Sequence, residues 1–142
     1  MYENKKFAIK LDVIIPIFNE EECLHELMKR LLSVCAYWED GSFNLIFVND
    51  GSNDLSLDIL LQYANNNKHI KIINLSRNFG HQIAMTAGLN FSNADFVVII
   101  DADLQDPPEL IIDLYKKALT GYDVVYAQRT DRQGESIFKK LK

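Results

Sequence analysis

The sequence predicts an α/β fold, a mostly parallel sheet with helices on both faces, and three observations predict it. Short β-branched runs alternate with longer stretches of 3.6-residue apolar spacing. Most of the short runs are continuously apolar, as strands covered on both faces are. The connections are short, which implies right-handed βαβ units.

The first strand is expected over Leu11–Ile17, a Val/Ile-rich run closed by Asn19 and Glu20. A helix follows, with Leu24, Leu27, Met28, Leu31, Leu32 and Cys35 on one stripe. The second strand is expected over Asn44–Val48, and Leu55, Ile59, Leu60 and Tyr63 mark a second helix. Ile70–Leu75 reads as the third strand, and Ile83, Ala84, Ala87, Gly88 and Phe91 as the helix after it. Phe96–Ile100 is the fourth strand, with Leu110, Ile111, Leu114 and Ala118 on the following helix, and Val124–Tyr126 is expected as a fifth strand. Asn19 with Glu22, and Asp106 with Glu109, have capping-box-like spacing at two helix starts. Pro107 and Pro108 fall where a first turn tolerates proline, and Gly121 is placed to close the last helix.

A chain of 142 residues with 48% hydrophobic and 25% charged side chains suits one globular domain and excludes a disordered one. A net charge of −5 argues against a general nucleic-acid binder, since backbone affinity comes from Lys and Arg. Cys23 and Cys35 fall on one helix, roughly 18 Å apart at 1.5 Å per residue, too far for a disulfide. With no Cys-x-x-Cys pair and a polar start over Met1–Lys10, the expected compartment is the reducing cytoplasm. No apolar run approaches the ~20 residues that cross a bilayer.

The unusual polar residues sit directly after the expected strands: Asn19-Glu20, Asn49-Asp-Gly-Ser52, Ser76-Arg-Asn78, Asp101-Ala-Asp103 and Gln128-Arg129. In a parallel sheet those ends share one edge, where ligands of open α/β sheets bind. Asp101 and Asp103, one residue apart on extended backbone, can turn both carboxylates to one side. Two such charges suit a hard divalent ion, Mg²⁺ or Mn²⁺, bridging them to phosphate oxygens, with Gln105 as a neutral neighbour. An isolated Asp-x-Asp is more often a solvated strand end, but this one follows the most apolar run in the chain.

Other polar residues have bland readings beside their chemical ones. Asp50-Gly-Ser52 suits a turn that caps the next helix, or a carboxylate facing a base or ribose. Glu20 suits a first-turn acid. Arg77 and Arg129 suit the surface, or a diphosphate. His81, at a helix start, is more often structural than chemical. No Gly-x-Gly-x-x-Gly or P-loop sequence is present, so phosphate would be bound through metal and arginine. A phosphatase-like hydrolase would place its Asp-x-Asp after the first strand, not the fourth.

Five segments in this order, Val13–Glu21, Val48–Ser52, Leu75–Gly80, Asp101–Glu109 and Asp123–Arg129, resemble the family 2 glycosyltransferases of the Rossmann-like GT-A fold. The likeness is greatest to the polyprenyl-phosphate branch, with bactoprenol glucosyltransferases and dolichyl-phosphate mannose synthases. The resemblance implies that Pro16, Phe18, Glu20 and Asp50 line a nucleotide site, with Asp50 near the base. It implies that Asp101, Asp103 and Gln105 surround the metal and diphosphate, and that Arg129 approaches the phosphates. An inverting hexosyltransferase is then expected, taking a UDP-sugar such as UDP-glucose as donor and a polyprenyl phosphate as acceptor. A glycan acceptor, or metal-dependent nucleotide-sugar binding without turnover, is the alternative.

Family members continue well past the Gln128–Arg129 region, so the resemblance implies that residues 1–142 hold the donor part and lack most of the acceptor part. The basic tail, with Arg129, Arg132, Lys139, Lys140 and Lys142, suits either a solvated helix start or an anionic membrane surface. By resemblance the whole protein works at the inner face of the cell membrane.

Overall fold

The structure, a computed structural model, describes residues 8–128. Four strands, β1 (Ile9–Ile17), β2 (Gly41–Asn49), β3 (Ile70–Asn74) and β4 (Phe96–Ile99), form one parallel sheet in the order β3-β2-β1-β4. The helices α1 (Glu21–Ala36), α2 (Ser56–Asn66), α3 (His81–Phe91) and α4 (Leu110–Ala118) follow the strands in turn. The chain divides into two compact units, Met1–Glu109, which holds the sheet, and a second unit from Leu110 onward.

Strand order explains where the helices go. The chain moves outward from β1 to β2 to β3, then returns past β1 to β4. With right-handed crossovers, that reversal sends α1 and α2 to one face and α3 to the other. Ile14 marks the α3 face: a Cβ added to Gly88 of α3 would stand 2.5 Å from Ile14 Cγ2, so the helix rides on the strand at glycine distance. Ile14, Ile46, Val48 and Ala84 form the core there. Alternation points Val13, Ile15 and Ile17 to the other face, and they are fully buried as well. That explains why β1 is apolar without a break from Val13 to Ile17.

An acidic residue interrupts the strand interior. Asp12 is buried in β1, its Oδ1 accepting from Asn44 Nδ2 at 3.1 Å and its Oδ2 from Ser92 Oγ at 2.6 Å. Its lone pairs are therefore met without a cation.

Four of the five expected strands and all four expected helices are present, with ends shifted by a few residues. Gly121 follows α4 at φ +110°, its N–H bonded to the Ala118 carbonyl, as the sequence predicts. Both cysteines are free, and burial pushes the Cys35 thiol up to about 12. Among the described residues no helix is long and apolar enough to cross a membrane.

Two expectations need correction. Val124–Tyr126 forms no strand, and Val124 and Tyr126 are largely exposed. The Asn19–Glu22 capping box does not form, because Asn19 turns to φ +51° and its Oδ1 accepts the Asn53 N–H at 2.7 Å in the next loop. At the start of α4 the Glu109 carboxylate pairs with Arg30 in a two-pronged fork at 3.0 and 2.6 Å.

Candidate functional site

In an open α/β sheet the binding crevice opens where strand order reverses, because the loops on either side part there. Here that point lies between β1 and β4. A cavity of about 460 Å³ occupies it, at the carboxyl edge, lined from β1 by Pro16, Ile17, Phe18 and Glu20 and from β4 by Asp101, Ala102 and Asp103. Asp50, after β2, and Asn78, Gly80 and His81, after β3, complete it.

The loops around the cavity cap one another. Glu20 N–H donates to Ser56 Oγ at 2.9 Å and Glu21 N–H to Asp54 Oδ2 at 3.2 Å, so side chains of the β2–α2 loop serve the start of α1. In return Glu21 Oε2 accepts the Leu55 N–H at 3.0 Å, at the start of α2. Orphan donors of both helices are thus satisfied across the gap rather than locally. Burial alone would raise Asp54, but hydrogen bonds from the Ser56 hydroxyl and N–H and from the Glu21 N–H hold it below its ordinary value.

On the other side, both oxygens of buried Asp50 accept backbone donors, Phe79 N–H at 2.7 Å and Gly80 N–H at 3.1 Å. Asn78 Nδ2 returns a bond to the Asp50 carbonyl at 3.1 Å. Between them Gly51 sits at φ +69°, where a Cβ would stand 2.2 Å from the Asn78 nitrogen. Only glycine fits so close to the neighbouring backbone.

The acidic residues converge. Glu20 is raised above its ordinary value, first by burial and then by Asp103, Asp54 and Asp101. The Cys23 thiol is raised as well, by burial and then by Glu20, Glu22 and Asp103. At the mouth Asp101 Oδ1 lies 3.4 Å from His81 Nε2, and Asp103 Oδ1 accepts the Gln105 N–H at 3.1 Å across Leu104, whose φ is +63°.

Of the residues singled out in the sequence, Pro16, Phe18, Glu20, Asp50, Asp101 and Asp103 line this cavity together. Arg77 and Gln105 do not line it; the Arg77 guanidinium stacks 4.3 Å over the Phe79 ring. Arg129 lies outside the described residues, as does the basic tail. Asn78, Gly80 and His81 line the cavity as well; the sequence placed Asn78 in a polar cluster after the third strand and Gly80 in the family-like segment Leu75–Gly80, and gave only a weak signal for His81.

Among the described residues no cluster of three or more His, Cys, Asp or Glu side chains forms a closed metal cage. Asp101 and Asp103 therefore offer a partial set of hard oxygens, which suits a cation completed by phosphate oxygens and water. The acidity collected around Glu20 is what such a cation would relieve.

Comparison with known proteins agrees with this architecture. The family model described as Glycosyl transferase family 2 matches residues 12–142. The chain is 48% identical over 132 residues to the uncharacterized glycosyltransferase YkcC of Bacillus subtilis, covering 93% of this chain and 41% of that one. It is 47% identical over 132 residues to an undecaprenyl-phosphate 4-deoxy-4-formamido-L-arabinose transferase of Photorhabdus laumondii, covering 92% and 40% of the two chains. It thus spans about 40% of the length of these curated relatives. Among solved structures, S. aureus TarS in complex with UDP superposes with a TM-score of 0.59 at 26% identity, over 75% of this chain and 33% of that one. The mannosyltransferase PcManGT from Pyrobaculum calidifontis, solved with GDP-Man and Mn²⁺, superposes with a TM-score of 0.63 at 20% identity, over 75% and 31%. The fold is GT-A, and with its family model matched over nearly the whole sequence, the chain belongs to glycosyl transferase family 2.

Proposed function

We propose that the cavity between β1 and β4 binds the nucleoside diphosphate of an activated sugar, and that the whole protein transfers the sugar to a polyprenyl phosphate. The observation that carries this reading is the meeting of Asp101 and Asp103 with Pro16, Phe18, Glu20 and Asp50 around one cavity at the strand-order reversal. Similarity to a relative named for undecaprenyl phosphate supports the acceptor, and likeness to a structure holding UDP supports a UDP-sugar donor. UDP-glucose is the donor favoured by sequence resemblance. A lipid acceptor places the whole protein's work at the membrane's inner face.

In this reading Pro16 and Phe18 form an apolar wall for the base, and Asp50 approaches it with the lone pairs left over from Phe79 and Gly80. Asp101 and Asp103 would hold a divalent ion, Mg²⁺ or Mn²⁺, which when bound neutralises charge on the departing diphosphate. The acceptor phosphate oxygen bonds to the anomeric carbon as the bond from that carbon to the diphosphate oxygen breaks, and configuration inverts. A phosphate monoester has its second pKa at roughly 6, so the acceptor is already nucleophilic at neutral pH and needs no strong protein base.

Calorimetry with UDP, UDP-glucose, GDP and GDP-mannose, in Mn²⁺ or in EDTA, tests the donor half. Uridine-selective binding that requires the metal and is lost in Asp103→Ala is expected; folded wild-type chain that binds none of the four overturns the proposal.

A further inference from the structure

The loop from Asp101 to Glu109 is pinned at both ends, and its far anchor is a side-chain pair. At the near end, Ile100 N–H bonds to the Ile14 carbonyl at 3.1 Å, so Asp101 leaves directly from the sheet. At the far end, Arg30 Nε donates to Glu109 Oε1 at 3.0 Å and Nη2 to Oε2 at 2.6 Å. Arg30 stands in the middle of α1 between Met28 and Leu31, both fully buried, so its backbone is held by the core. The same helix begins at Glu21, directly after the cavity-lining Glu20.

Between the anchors the loop is stiff and locally costly. Pro107 and Pro108 have φ fixed near −65°, so the position of Glu109 is passed back along the chain with little slack. Leu104 holds a left-handed φ of +63° that a branched side chain resists, which requires the surroundings to over-determine it. Asp103, beside it, has its Oδ1 tied to the Gln105 N–H.

The pair is partly exposed, with Arg30 29% and Glu109 57% accessible at the side chain. An exposed ion pair adds little to global stability. A two-pronged guanidinium–carboxylate fork does, however, fix direction as well as distance. Its consequence should therefore appear in geometry rather than in melting temperature.

We propose that the Arg30–Glu109 fork is a positioning device for Asp103, holding its carboxylate in the orientation a metal-bound diphosphate requires. This rests on the reading of the cavity given above. Neither residue touches the ligand; both act through the loop.

The test uses Arg30→Gln, Glu109→Gln and the exchanged pair Arg30→Glu/Glu109→Arg in the 142-residue chain, with two readouts. The first needs no ligand: amide hydrogen exchange at Gln105 should accelerate in both single variants while β1 and β2 amides keep wild-type protection. The second is Mn²⁺-dependent UDP affinity, expected to fall on the order of tenfold in both single variants and to recover in the exchanged pair. The two singles change net charge in opposite senses, so a field effect would move affinity in opposite directions, whereas lost positioning moves both down. Unchanged Gln105 exchange, opposite affinity shifts, or accelerated exchange with unaltered affinity would each overturn the proposal. If wild type binds no Mn²⁺–UDP while exchange accelerates as expected, the reading of the cavity fails and the loop anchor stands.

Discussion

Asp50 and Gly80 are joined across two loops, the Gly80 N–H reaching Asp50 Oδ2 at 3.1 Å beside the Phe79 N–H on Oδ1 at 2.7 Å. One carboxylate thus sets the start of α3, and with it the place of His81 opposite Asp101. Hydrogen bonds to a charged group are worth about 1.5–3 kcal/mol each, enough to hold a short loop.

Asp50→Ala is accordingly expected to speed amide exchange at Phe79 and Gly80 and to weaken UDP binding by about tenfold or more. Hydrogen exchange by mass spectrometry, with calorimetry on the same preparation, checks both. Wild-type protection at those two amides in the variant would count against the latch.

Glu20 gives a pH prediction of defined sign. Its folded pKa lies above the ordinary 4.5, so the folded state binds the proton more tightly than the unfolded one. The stability this confers is fully present below 4.5 and is lost as pH rises through the raised folded value. At neutral pH the ionised carboxylate is a liability, and Glu20→Gln should melt above wild type in EDTA. The gain should shrink as pH falls toward 4.5. A thermal-shift series from acid to neutral pH that shows no such trend would sink the assignment.

Asp54 should behave oppositely. Its folded pKa lies below the ordinary 3.8 because the Ser56 and Glu21 donors favour the carboxylate. Its contribution is present above 3.8 and disappears as pH falls through the lower folded value. Asp54→Ala removes a cap shared by two helices, and a loss of about 1 kcal/mol at neutral pH is expected in urea titrations. The difference from wild type should close in acid; a constant difference would argue for packing instead.

Gly88 tests the seating of α3 on the sheet. A methyl group there meets Ile14 Cγ2 at 2.5 Å, in a core where Ile14 is fully buried. Helix propensity would favour alanine by up to about 1 kcal/mol, but overpacking costs roughly 1–3 kcal/mol and should win. Denaturant midpoints of Gly88→Ala and of Gly88→Ala/Ile14→Val separate the two effects, since the smaller partner should return part of the loss. No recovery in the double variant would mean that the clash is not with Ile14.

Much of the edge chemistry was legible because it depends on period and order alone. A run such as Val13-Ile14-Ile15 suits a strand covered on both faces, as strands of parallel sheets are, and Asp101 and Asp103 then leave that sheet at its carboxyl edge. The caps were less legible. Asn19 and Glu22 have the spacing of a local box, yet Asn19 serves Asn53 and Asp54 serves Glu21, because two neighbouring loops offer better donors than either offers itself. The Val124–Tyr126 segment has strand-like residues, but residue type supplies no partner, and a strand exists only where its hydrogen bonds are met.

What the sequence determined by itself was the first four strands and the four helices, the parallel sheet and the edge that carries the acids, since these follow from periodicity and chain order. Only the tertiary structure decided which acids meet. The reversal of strand order after β3 brings the ends of β1 and β4 side by side, so Glu20 and Asp103, far apart in the chain, share one cavity. It also joined Arg30 to Glu109, 79 residues away. Long-range pairs of this kind depend on which surfaces the packed helices and sheet leave facing one another, and spacing along the chain carries no record of that.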